Sequence, residues 1–127
     1  MKKAIFYFIL TLSIWQLSCK KENETEGSKD IYGIWRLTES YVDPGDGSGK
    51  YKEVTGEPKY LIFDKSGNVK GTAFSNLVSF RILDSVVIKF VVKNSNQSVN
   101  YRYKISERSL TLNPPCFEGC GFKFVRN

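Results

Sequence analysis

Strict two-residue alternation constrains this chain more than any other feature. In VNYRYKI, Val99, Tyr101, Tyr103 and Ile105 fall on one face, and Asn100, Arg102 and Lys104 on the other. A helix would scatter that pattern around its circumference, whereas a pleated strand sends alternate side chains to opposite sides. The period recurs along the chain. Trp35 and Leu37 oppose Arg36 and Thr38, and Val78, Phe80 and Ile82 oppose Ser79 and Arg81. Val86, Ile88, Phe90 and Val92 alternate with Val87, Lys89, Val91 and Lys93. PKYLIFD is a short apolar run with mixed faces, SLTL adds another strand, and GFKFVR closes the chain with Phe122 and Phe124 inward. Turn formers at Asp64–Asn68, Asp84-Ser85 and Ser106–Arg108 separate these runs. The pattern predicts an all-β chain of eight or nine antiparallel strands. An open meander of that length would expose two unpaired edges, so closure into a single up-and-down β-barrel is expected. About eight strands enclose room for side chains or for one small ligand.

The alternation starts only near Asp30. Before it, Lys2 and Lys3 precede a nearly unbroken apolar run, Ala4–Leu17, ending at Ser18 and Cys19. As a helix that run would reach only about 21 Å, short of the ~30 Å hydrocarbon core. A positive n-region, an apolar h-region and a small residue before a cysteine are the marks of an export signal. The chain therefore divides into a signal peptide over 1–18, a lipidated Cys19 with a polar tether over 19–29, and a domain over 30–127. The tether (KKENETEGSK after the cysteine) is too hydrophilic to fold alone. More than one acyl chain at Cys19 would give stable anchoring where one would not. The expected location is the cell envelope, as an outer-membrane lipoprotein facing the periplasm or the cell surface, with the membrane as its first partner.

Nineteen Lys and Arg against 13 Asp and Glu give +6, and the leader carries two of the lysines, leaving +4 on the mature chain. Those cations are spread singly, not clustered into a stripe, so no nucleic-acid partner is expected. Three cysteines leave one to explain in an exported protein. With Cys19 acylated, Cys116 and Cys120 in PPCFEGC form an even pair in a compartment where disulfides persist. A metal at C-x3-C would need further ligands, and the chain has no histidine. A disulfide is the preferred reading; no metal and no cofactor are assigned.

GIWRL, opening the first strand, is similar to the G-x-W start of lipocalin-type barrels. CFEGCGFKFVRN, after YKISERSLTLNP, resembles the close of small lipocalin-like lipoproteins of Bacteroidetes, in which a C-x-E-G-C loop precedes a final F-x-F strand. The resemblance spans residues 31–127 and implies a lipocalin-like barrel with a tryptophan plugging one end under an arginine from the last strand. Gly33, Trp35 and Arg126 are the matching positions. The usual leucine three residues before the lipidated cysteine is Gln16 here.

Asp43–Lys50 (DPGDGSGK) has two aspartates, but their spacing is not that of a calcium loop, which also needs a later bidentate glutamate. It reads as an ordinary loop. Glu118 lies between two cysteines without an evident partner for acid–base work. The aromatic residues carry the functional hint: Tyr60, Phe63, Phe74, Phe80, Phe90, Tyr101, Tyr103 and Phe122. In an open barrel they would line an apolar pocket; in a closed one they are the core. The expected function is accordingly a tethered module that binds or carries a small hydrophobic molecule. The alternative is a solid barrel used as scaffold for an envelope protein partner or inhibitor, through an outer patch such as Val87, Lys89, Val91 and Lys93 or the Asp43–Lys50 loop. Without histidine, a free mature thiol or a phosphate-binding glycine loop, an enzyme is not expected.

Overall fold

A computed structural model describes residues 30–127. The expected signal peptide, Cys19 and the expected tether lie outside the described residues. Nine strands follow one another: β1 (Gly33–Val42), β2 (Lys50–Glu53), β3 (Tyr60–Phe63), β4 (Val69–Lys70), β5 (Leu77–Ile82), β6 (Val87–Val92), β7 (Ser98–Ile105), β8 (Ser109–Asn113) and β9 (Phe122–Arg126). No helix occurs among the described residues.

All neighbours in the sheet are antiparallel, in the order β4-β3-β1-β9-β8-β7-β6-β5, with β2 also on β1. β2 and β3 behave as one interrupted strand. Glu39–Val42 pair with β2 and Gly33–Arg36 with β3. The Thr38 carbonyl accepts the Val54 amide, while the Leu37 amide donates to the Lys59 carbonyl, so the ladder brackets the break. Counting β2 and β3 together, eight positions run around the wall in chain order. The first and last strands meet from Trp35↔Arg126 to Ser40↔Phe122. Between β4 and β5 only an Asn68↔Ser79 bridge and a Phe80 amide to the Gly67 carbonyl (2.9 Å) cross the gap. The result is a nearly closed up-and-down barrel.

Strand direction gives the barrel two ends. The near end is where the chain joins at Asp30; it also carries the 64–68, 83–86 and 106–108 turns and the C-terminus. The far end carries the 43–49, 71–76, 93–97 and 114–121 loops.

Among the described residues twelve apolar side chains are buried, including Trp35, Leu61, Phe63, Ile88, Phe90, Leu110, Leu112 and Phe124. Each such Leu, Ile or Phe contributes roughly 1.5–3 kcal/mol relative to leaving it in water. The register corrects one expectation. Val78 is exposed and does not share a face with Phe80, because a bulge between Leu77 and Ser79 turns it outward and brings Leu77 in.

Candidate functional site

The rings of the interior touch one another. Phe63 meets Phe80 edge-on at 4.8 Å, and Phe90 meets Tyr101 at 5.0 Å. Phe74, from the 71–76 loop, lies 4.8 Å from Phe122 and 6.2 Å from Tyr101 and closes the far end. That loop is pinned by Gly71, whose φ of +134° suits glycine and whose missing side chain leaves room for the Tyr60 carbonyl. Tyr60 does not join the others. It pairs with Arg36 between the inward Leu61 and its own turn, so alternation puts it on the outer face. The proposed lining is corrected accordingly: Phe63, Phe80, Phe90, Tyr101, Tyr103 and Phe122 face inward, and Tyr60 does not. Burial raises the Tyr101 hydroxyl above its ordinary pKa of 10.0. Tyr103 is raised too, by burial first and then by the charge of Asp84, whose carbonyl accepts its hydroxyl at 3.0 Å.

At the near end Trp35 is fully buried and its indole N–H donates to the Ile31 carbonyl at 2.8 Å. The Arg126 guanidinium carbon stands 4.2 Å from the Trp35 ring. The same guanidinium donates to the carbonyls of Glu107, Tyr32 and Asp30. Gly33 makes that approach feasible, with φ +121° and only an α-hydrogen where a β-carbon would stand 3.3 Å from Arg126 Nη1. Beside this plug a recess of about 170 Å³ is lined by Asp30, Ile31, Tyr32, Ile82, Tyr103 and Ile105.

At the far end Cys116 and Cys120 are joined as a disulfide with Cα atoms 6.2 Å apart. The loop they close is seated on the wall: the Asn113 side-chain amide donates to the Cys120 carbonyl, and the Tyr41 amide to the Gly121 carbonyl. Phe117, at its tip, is fully exposed. An open groove beside it is lined by Tyr41, Val42, Asp43, Glu118 and Gly119. Glu118 lies against the backbone of Gly45, so the two far-end loops are in contact. The Asp43 carboxylate accepts the Gly45 amide and that of Asp46 the Ser48 amide, the bonding of ordinary Asx turns. Hydrogen bonds from Ser48 hold the Asp46 carboxyl below its usual range.

Phe117, Tyr41 and Val42 escape sequence reasoning. The available signal was an aromatic residue inside C-F-E-G-C, too short a segment to have an inward face. Comparison with protein-family models, curated proteins and solved structures finds no match.

Proposed function

We propose that this chain is an exported, lipocalin-like envelope lipoprotein, anchored through Cys19, whose filled barrel is a scaffold for binding a protein partner at its far end. The observation that carries this reading is Phe117, a fully exposed aromatic held on a disulfide-closed loop. Aromatic anchors flanked by a groove are the usual centres of binding energy at protein interfaces. Asp43 and Glu118 beside it favour a partner that offers an apolar pocket with basic residues at its rim. The interior counts against a carried ligand, because its rings fill the space that a ligand would use. The near-end recess, at about 170 Å³, falls below the ~300 Å³ at which ligand pockets usually begin.

The test is a photo-reactive residue in place of Val42, irradiated in the cells that make the protein. One discrete protein adduct is expected, and Phe117→Ser should reduce it at least ~10-fold, as a hot-spot residue does. The same substitution should leave the unfolding free energy within about 0.5 kcal/mol of the parent, as for an exposed site. A small apolar molecule held one-to-one in native mass spectra would overturn the scaffold reading in favour of a carrier.

A further inference from the structure

Strand pairing gathers cations that are spread singly along the sequence. Arg81 of β5 stands directly opposite Lys89 of β6. Lys89 faces Asn100 of β7, one outward position from Arg102, and Lys104 follows two residues later on the same face. Every other outward position of β5 through β8 carries Ser, Thr, Asn or Val. None of the four cations has an ion-pair partner among the described residues. Like charges directly opposite each other destabilise an antiparallel pair, so the Arg81–Lys89 juxtaposition is a cost to the free domain that an anionic partner would offset.

Two further observations say which partner. The cations lie in the near-end halves of their strands, beside the β5–β6 turn, where Leu83 and Val86 are large apolar side chains left exposed (38% and 45%). Asp84 in that turn spends its carboxylate on the amides of Val86 and Val87, and Glu107 lies in the adjacent turn. The chain upstream of Asp30, with its apolar run and Cys19, also departs from this end. Residues 19–29 extend at most about 40 Å, so an anchor at Cys19 keeps this end within that distance of the bilayer.

We infer that the β5–β7 wall at the near end is a membrane-docking face, on which Arg81, Lys89, Arg102 and Lys104 meet anionic lipid headgroups while Leu83 and Val86 enter the headgroup layer. Basic side chains around an apolar tip are the chemistry of interfacial binding. The face rests on the anchored reading above and adds an orientation to it. With the near end down, the Phe117 loop is held away from the membrane.

The test uses the full chain reconstituted on phosphatidylcholine vesicles with and without phosphatidylglycerol. A photo-reactive residue replaces Val86 or, at the far end, Ser95, and lipid adducts are counted by mass. With phosphatidylglycerol, adducts at position 86 should exceed those at position 95 at least ~10-fold, since each cation near an anionic surface is worth about fivefold in partitioning. Omitting phosphatidylglycerol, or introducing Arg81→Glu with Lys89→Glu, should remove most of the excess. Arg102→Glu with Lys104→Glu should do the same if the first pair folds poorly. A chain retained on both vesicles with equal adducts at 86 and 95 overturns the docking face alone. A chain that washes off both overturns the anchored reading as well. Protein adducts at position 86 in native membranes, with no lipid adducts on vesicles, overturn the bilayer in favour of an acidic protein.

Discussion

The near end of the barrel is closed by non-covalent contacts over a buried tryptophan, whereas the far end carries a covalent clasp whose tip stands in water. Arg126 covers Trp35 and binds carbonyls at Asp30, Tyr32 and Glu107, tying the last strand to segments as far as 96 residues upstream. The Cys116–Cys120 bridge joins residues four apart. Contacts that close long loops remove more disorder than contacts that close short ones. The near end therefore holds the fold together, and the far-end bridge shapes only the loop that it closes.

The largest effect expected from this difference is that of Trp35→Ala. Emptying a fully buried indole site typically costs about 3–5 kcal/mol, a large part of the stability of a domain this size. Urea unfolding of the variant should show that loss, with the barrel failing to close when the cost exceeds what the remaining core supplies. A loss under about 1 kcal/mol, the scale of an exposed site, would mean that Trp35 does not hold the near end closed. Replacing both Cys116 and Cys120 by serine should cost less, about 2 kcal/mol on the chain-entropy argument for so short a loop. Its larger effect should fall on the Phe117-dependent adduct at Val42, since an unclamped loop no longer presents the ring in one place. Were the bridge to cost more than Trp35, the far end would be holding the barrel together.

The two ends also differ in how far they can be read from sequence. The wall is legible because alternation is local: Val99, Tyr101, Tyr103 and Ile105 all face inward as their spacing requires. The disulfide is legible because setting Cys19 aside for the expected lipid left Cys116 and Cys120 as a pair. Three features depend on register, which spacing within one strand does not contain. The bulge at Leu77/Ser79 reverses Val78, and the mixed pattern of PKYLIFD hides that Tyr60 faces outward. The basic wall exists only because β5, β6 and β7 pair so that Arg81, Lys89 and Arg102 adjoin. In sequence those cations are scattered, and scatter argues against a patch. The interior was ambiguous for another reason: the same aromatic content suits a pocket or a core until the ring contacts are known.

Alkaline pH probes the barrel wall through the two inward tyrosines of β7. Burial raises Tyr101, and burial followed by the Asp84 charge raises Tyr103. A tyrosine that holds its proton more tightly when folded contributes stability that is fully present below its unfolded pKa, near 10, and lost as pH rises through the folded value. Stability should thus be flat from neutral pH to about 10 and fall above it. Tyr103→Phe removes the hydroxyl bonded to the Asp84 carbonyl, so near pH 7 it should be the less stable protein by at most about 1 kcal/mol. Above pH 10 that deficit should shrink, because only the parent must bury or expel a phenolate beside Asp84. Tyr101→Phe lacks the Asp84 contribution, and its relative gain at high pH should come from burial alone. Denaturation midpoints measured across the alkaline range check this: parallel curves for parent and Tyr103→Phe would mean that the hydroxyl already ionises freely, and that the near end is wetter than its contacts imply.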